Sequence, residues 1–268
     1  MRNLSLITFL VVASQISASC RNYNDVTNVT ICVFITPKHG PHLDVNQPNL
    51  CILHGNMSVV QANFFSRLTH LEGLYFNTSE VREIKKGAFS SLTHLKVLGL
   101  MGNKISNIKE EAFSNCSNLN TLDISANYIE FVNNINWKGL NSLSNLYLRH
   151  NLIRTISPSE LENLKQLRLL DLSLNYLEHL NSSSFYVLSN LHILNLSSNR
   201  INTIEDNAFN GLVNLEELHL EGNHLTKTES VFLTETLPKL KQVYLRKNNF
   251  SCETVRSEMN LTYSILCD

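Results

Sequence analysis

Between Cys51 and Cys252 this chain of 268 residues carries one cysteine, Cys116. No disulfide framework can hold such a middle together, so its core must. Excess charge is also missing: 22 Lys and Arg against 23 Asp and Glu leave a net charge of −1. Nucleic acid and anionic membrane usually demand a basic patch, so neither is the expected main partner. Long hydrophobic runs are absent too. The apolar stretch from Leu4 to Ala13 is too short to span a bilayer, and nothing downstream resembles a transmembrane helix. Nor is there a catalytic signature: no phosphate-binding glycine loop, G-x-S-x-G, H-E-x-x-H or C-x-x-C. The nearest metal candidate is PKHGPHLD, with His39, His42 and Asp44, which reads more simply as a polar loop. The expectation is a non-enzyme without metal or cofactor.

What is present begins with MRNLSLITFLVVASQISAS. One arginine, a short apolar stretch and small residues at 17 to 19 form a secretory signal peptide over 1–19. The C-terminus lacks the hydrophobic tail of a lipid-anchor signal, so the expected location is secreted and extracellular. That compartment permits disulfides.

The rest of the chain is governed by a repeat. Leu71, Leu95, Leu119, Leu143, Leu167, Leu191 and Leu215 recur every 24 residues, and Leu240 follows after 25. From Leu95 onward each opens L-x-x-L-x-L-x-x-N-x-L or a close variant, as in LKVLGLMGNKI, LRLLDLSLNYL and LHILNLSSNRI. Counting back to Gln47 adds a degenerate first coil, with Gly55 where the asparagine belongs. The pattern assigns work to each position. Leucines at positions 1, 4 and 6 point inward from a short strand, and positions 3 and 5 face the other way. At position 9, Asn103, Asn127, Asn151, Asn175, Asn199, Asn223 and Asn248 can bond the bend and the adjacent coil as a buried ladder. Position 19 holds Phe89, Phe113, Trp137, Leu161, Phe185 and Phe209, a spine under the convex side.

The pattern resembles the leucine-rich repeats of animal extracellular proteins, in the 24-residue form of Toll-like receptor ectodomains. The resemblance implies an α/β solenoid, a horseshoe with a concave parallel β-sheet and an irregular or 3-10 convex side. About nine coils span 47–250, an N-terminal cap covers 20–46 and a short C-terminal cap covers 251–268. Stacked coils need such caps, because an end coil would otherwise expose an apolar face. Cys252 and Cys267 are assigned to the C-terminal cap, and Cys116, at a position held elsewhere by leucine, to the core. For the N-terminal cap Cys20–Cys32 is favoured. That leaves Cys51 unpaired or open to an intermolecular bond and a disulfide-linked dimer, although Cys51 could take either partner.

Such repeats leave the concave face open, which suits a protein or pathogen-surface ligand. Tyrosine and arginine are common interface anchors, so Tyr147 and Arg149 beside Asp123 and Asp171 form the first candidate site. Tyr244 and Arg246 form a second, and His219 and Tyr75 share the face. The end NNFSCETVRSEM (248–259) resembles that of mosquito secreted leucine-rich immune proteins, which implies innate immune recognition. The double cysteine and coiled coil of that family do not follow before Asp268, so a short, independently acting member is expected. Competing readings are a developmental or neuronal adhesion ligand or receptor-like ectodomain, and an inhibitor of a secreted enzyme. Sequons stand at Asn28, Asn56, Asn77, Asn115, Asn181, Asn195, Asn249 and Asn260. By register, Asn77 and Asn195 put sugar on the concave face.

Overall fold

The computed structural model describes residues 19–23, 29–33, 48–53, 57–226, 237–250 and 264–266, with only the backbone path for the first two segments. Its main sheet has twelve strands. Nine of them are the repeat strands: Asn49–Leu53, Gly73–Asn77, Val97–Gly99, Thr121–Asp123, Asn145–Tyr147, Leu169–Asp171, Ile193–Asn195, Glu217–His219 and Gln242–Tyr244. Each pairs in parallel with the next at a register of 24 or 25 residues. The leucine spacing therefore becomes a sheet in which equivalent positions line up in rows across the strands. The degenerate coil counted from Gln47 takes its place in this series, pairing Asn49–Leu53 with Gly73–Asn77.

Strand length follows from the pattern. The residue at position 4 is buried and its neighbours at 3 and 5 are half-buried, as in Thr121–Asp123, Asn145–Tyr147 and Leu169–Asp171. A strand of three residues is all the alternation supports before the bend at position 9.

That bend is held by the predicted asparagine ladder. Asn175 Nδ2 donates to Leu172 O and to Leu148 O of the preceding coil, both at 3.0 Å. Its Oδ1 accepts from Ile153 N at 3.1 Å. Asn103, Asn127, Asn151, Asn199 and Asn223 repeat this arrangement and are all buried. Each rung thus ties its own bend to the coil before it, satisfying backbone groups that would otherwise be buried without partners.

The spine forms as expected, in two runs. Phe65, Phe89 and Phe113 stack with centroids 5.9 Å apart at each step, and Phe185 stacks on Phe209 at 6.3 Å. Between them lie Trp137 and Leu161, both buried. The convex backbone changes character at the same coils. A 3-10 turn covers Val132–Asn134, and a four-residue helix, Pro158–Leu161, starts where Ser157 N donates to Glu160 Oε2 at 2.7 Å. Elsewhere the convex side adds short parallel pairings: a three-stranded strip from Val59–Val60 to Asn107–Ile108, and a pair of His179–Leu180 with Thr203–Ile204. The expected irregular side is therefore partly extended.

At the N-terminal end, Ser19–Tyr23 runs antiparallel to Val29–Val33, which pairs in parallel with Asn49–Leu53. The register sets Cys20 directly opposite Cys32. Opposed Cα atoms in such ladders lie about 4.5–5.5 Å apart, within the span of a disulfide. At the other end, Ser264–Leu266 pairs in parallel with Gln242–Tyr244. Cys252, Cys267, and the loop with His39, His42 and Asp44 lie outside the described residues. Among the described residues no helix is long and apolar enough to cross a membrane.

Candidate functional site: the concave face

Position 5 forms the centre row of the concave sheet: Cys51, Tyr75, Gly99, Asp123, Tyr147, Asp171, Asn195, His219 and Tyr244. Tyr147 sits in register with Asp123 on one side and Asp171 on the other. Burial raises the pKa of its phenol, and the two carboxylates raise it further, so at neutral pH the hydroxyl is a neutral donor. Each aspartate is pinned by its own turn. Asp123 Oδ1 accepts from Ser125 N, and Asp171 Oδ1 from Ser173 N, both at 2.9 Å. These local bonds fold position 7 inward, so that Ser125 and Ser173 are buried. Position 7 therefore does not form a third open row, contrary to simple strand alternation.

Arg149, like Met101 and Arg246, is exposed at that position. It does not pair with either aspartate; its Nη1 donates to Ser173 Oγ at 3.3 Å. Among the described residues neither Asp123 nor Asp171 has a salt-bridge partner. The predicted central cluster is thus brought together, with its guanidinium turned along the rim and its carboxylates left without a counter-ion.

The second candidate region is built differently from the expectation. His219 and Tyr244 stack face to face, centroids 4.1 Å apart and planes within 5°. Two glutamates flank the imidazole: Glu217 Oε2 lies 3.6 Å from Nε2 and Glu221 Oε1 3.5 Å from Nδ1. The Tyr244 hydroxyl donates to Gln242 Oε1 at 2.5 Å, and Glu221 Oε2 is buried without a hydrogen-bond partner among the described residues. Glu217 was missed from the sequence, although it lies two residues from His219 on the same chain segment, whereas position 7 had already put Glu221 on this face. Arg246 is exposed at the rim.

Burial opposes protonation of His219, but hydrogen bonding and attraction from Glu221 and Glu217 outweigh it, and the pKa stands above the ordinary 6.5. A raised folded-state pKa contributes stability that is complete below the unfolded value and is lost as pH rises through the folded one. The melting temperature of the protein should therefore fall relative to that of His219→Gln as pH rises from below 6.5 through the folded-state pKa. Parallel pH–melting curves for the two proteins would refute the pairing.

At the N-terminal end of the row Tyr75 packs beside Gly99, where an added Cβ would meet the ring at 3.0 Å. Its pKa is raised by burial and by the neighbouring Cys51. Of the two expectations for Cys51, its surroundings favour the unpaired thiol over an intermolecular bond. The thiol is unpaired, but it is only 8% exposed, and burial pushes its pKa up to about 11. A protonated, covered sulfur is a poor partner for a second chain. Cys116 is the buried thiol expected, its Sγ 3.4 Å from Phe89 O and its pKa pushed up to about 12.

Of the sequons, Asn115, Asn181 and Asn249 are exposed away from the concave row, and Asn28, Asn56 and Asn260 lie outside the described residues. Asn195 is half-buried in the centre row, and its Oδ1 accepts from Ser197 N at 3.0 Å and Ser197 Oγ at 2.7 Å. Asn77 Oδ1 is bound to Met101 N at 2.9 Å. One lateral feature escaped the sequence reading: Tyr176 lies under Arg200 at 4.4 Å and near Arg154 at 5.9 Å. Its only sequence signal is the shared position 10 of Tyr176 and Arg200. Among the described residues no group of three or more His, Cys, Asp or Glu is placed to hold a metal ion.

Comparison with known proteins agrees with this architecture. The leucine rich repeat family model matches residues 49–105, 93–153, 136–177 and 165–225. No curated protein matches the chain. Among solved structures, TLR13 in its complex with ssRNA13 superposes with a TM-score of 0.73 at 31% identity, over 77% of this chain. A leucine-rich repeat protein of Leptospira interrogans gives 0.62 at 26% identity, over 83% of this chain. The chain spans 29% of the former and 61% of the latter. With matches running from the first repeat strand through the eighth, on a sheet whose register repeats with the leucines, this chain belongs to the leucine-rich repeat family.

Proposed function

We propose that this is a secreted leucine-rich repeat protein that binds an extracellular protein or pathogen-surface ligand through its concave face, in innate immune recognition. The observation that carries the reading is the open centre row around Tyr147, where a half-buried phenol stands between two carboxylates lacking a counter-ion. Interfaces are anchored by such aromatic groups, held rigidly and only partly solvated. The signal-peptide pattern over 1–19 supports secretion, and the likeness to TLR13 supports a recognition role. A binding module rather than an enzyme is the reading that the fold and the missing catalytic motifs favour. TLR13 was solved with RNA, but the centre row here has neither lysine nor arginine, so a protein partner is favoured over a nucleic acid.

The test is affinity capture from the body fluid of the source with the wild-type protein and with a variant carrying Tyr147→Ala and Arg149→Ala. The double variant should lose at least about tenfold in affinity for the retained partner, the scale of one lost interface anchor. Its melting temperature should not change. An unaltered affinity would remove the concave centre as the binding site.

A further inference from the structure

We infer that the concave face takes a cationic protein segment, running across the strands with two basic side chains seated at separate anionic aromatic anchors. This deepens the reading of the concave face as the binding face and rests on it. The first anchor is the Tyr147 phenol with Asp123 and Asp171 on the flanking strands. In each aspartate one oxygen is committed to its own turn, and among the described residues no salt bridge engages the other. A guanidinium or ammonium group over the ring would meet both the aromatic face and a carboxylate. The second anchor is the Tyr244 and His219 stack with Glu217 and Glu221, where one Glu221 oxygen is buried and unsatisfied. With His219 neutral that anchor carries two negative charges; with His219 protonated it still carries one.

Register fixes the distance between the anchors. Tyr147 and His219 are three strand steps apart and Tyr244 is one step further, through Asp171 and Asn195. At about 4.8 Å per step the separation is roughly 14–19 Å, which an extended chain covers in about four to six residues. Leu169 and Ile193, half-exposed at position 3, offer apolar contact along the way. The rim arginines Arg149 and Arg246 stand on the other side of the centre row, leaving the row itself without permanent positive charge. Complementary charge of this kind sets partner choice and encounter rate.

Fluorescence anisotropy on the full chain tests the assignment. The probes are labelled ten-residue peptides with two arginines three to eight residues apart, citrulline counterparts of the same sequences, and a single-stranded RNA oligonucleotide. The arginine peptides should bind at least about tenfold tighter than the citrulline ones, the scale of a lost charge-assisted hydrogen bond. Affinity should peak at a separation of about four to six residues, as the strand spacing requires. Asp123→Asn together with Asp171→Asn should abolish most of the arginine preference without moving the melting temperature. Equal binding of arginine and citrulline peptides, no binding of either, or tighter binding of the RNA would overturn the inference. If a captured partner depends on Tyr147 and Arg149 but ignores both asparagine substitutions, the concave site stands and its cationic specificity falls.

Discussion

Replacing Phe113 with alanine should lower the unfolding free energy by about 3–5 kcal/mol, the usual cost of deleting a fully buried aromatic. Phe113 is completely buried and ends the stacked run that begins at Phe65. The coil on its other side offers Trp137, itself buried, so the cavity cannot be filled without dragging a large indole out of place. Phe113→Leu should lose markedly less, since Leu161 fills the equivalent position of its own coil. Urea denaturation gives both numbers, with the slope reporting whether the unfolded coils expose the same surface. A loss below about 1 kcal/mol, typical of a surface substitution, would mean that the spine is not close-packed.

Asn175→Leu should cost a comparable amount for a different reason. Leucine matches the asparagine in size but strands Ile153 N–H and removes one donor each from the carbonyls of Leu148 and Leu172, which keep Asn151 Nδ2 and Asn199 Nδ2. The buried N–H left unsatisfied costs about 1–3 kcal/mol and each lost bond about 0.5–1.5 kcal/mol, so a total of about 2–5 kcal/mol is the expected result. The neighbouring coil supplies Ile153 and Leu148, so the damage crosses the coil boundary. Amide exchange should therefore speed up at Ile153 as well as around residue 175. The exposed Asn202, at position 12 of the next coil, is the control, and its replacement by leucine should be nearly neutral. Equal losses at the two sites would show that the ladder adds nothing beyond packing.

The parts of this architecture visible in the sequence are those set by backbone periodicity. Position 9 must be a small amide because at least three backbone groups converge there, and position 19 must be large because the convex side leaves room for a ring. Both demands recur along the coils, with Gly55 and Ser79 the departures at position 9, so spacing alone exposes them. The binding face was visible only as rows. That Tyr147 lies between Asp123 and Asp171 follows from counting, but that Arg149 turns to Ser173 depends on rotamers. The same holds for the His219 and Tyr244 stack, whose members were both named without their contact. Cys51 shows the limit most plainly. Its position 5 places it on the open face, yet the burial of its thiol depends on how the neighbouring side chains pack. Position in a repeat predicts direction, not cover.

The hydrogen bonds by which the asparagine ladder leaves its own coil reach back 22 to 28 residues, never beyond the preceding coil. A coil consequently meets only its two neighbours, and any other coil of the same pattern could stand in its place. Duplicating or deleting one whole 24-residue unit leaves every remaining contact with an acceptable partner. The gap between the Tyr147 and His219 anchors can thus change only in whole strand steps of about 4.8 Å. Across such variants, the length of segment the face accepts is a ruler with integer marks.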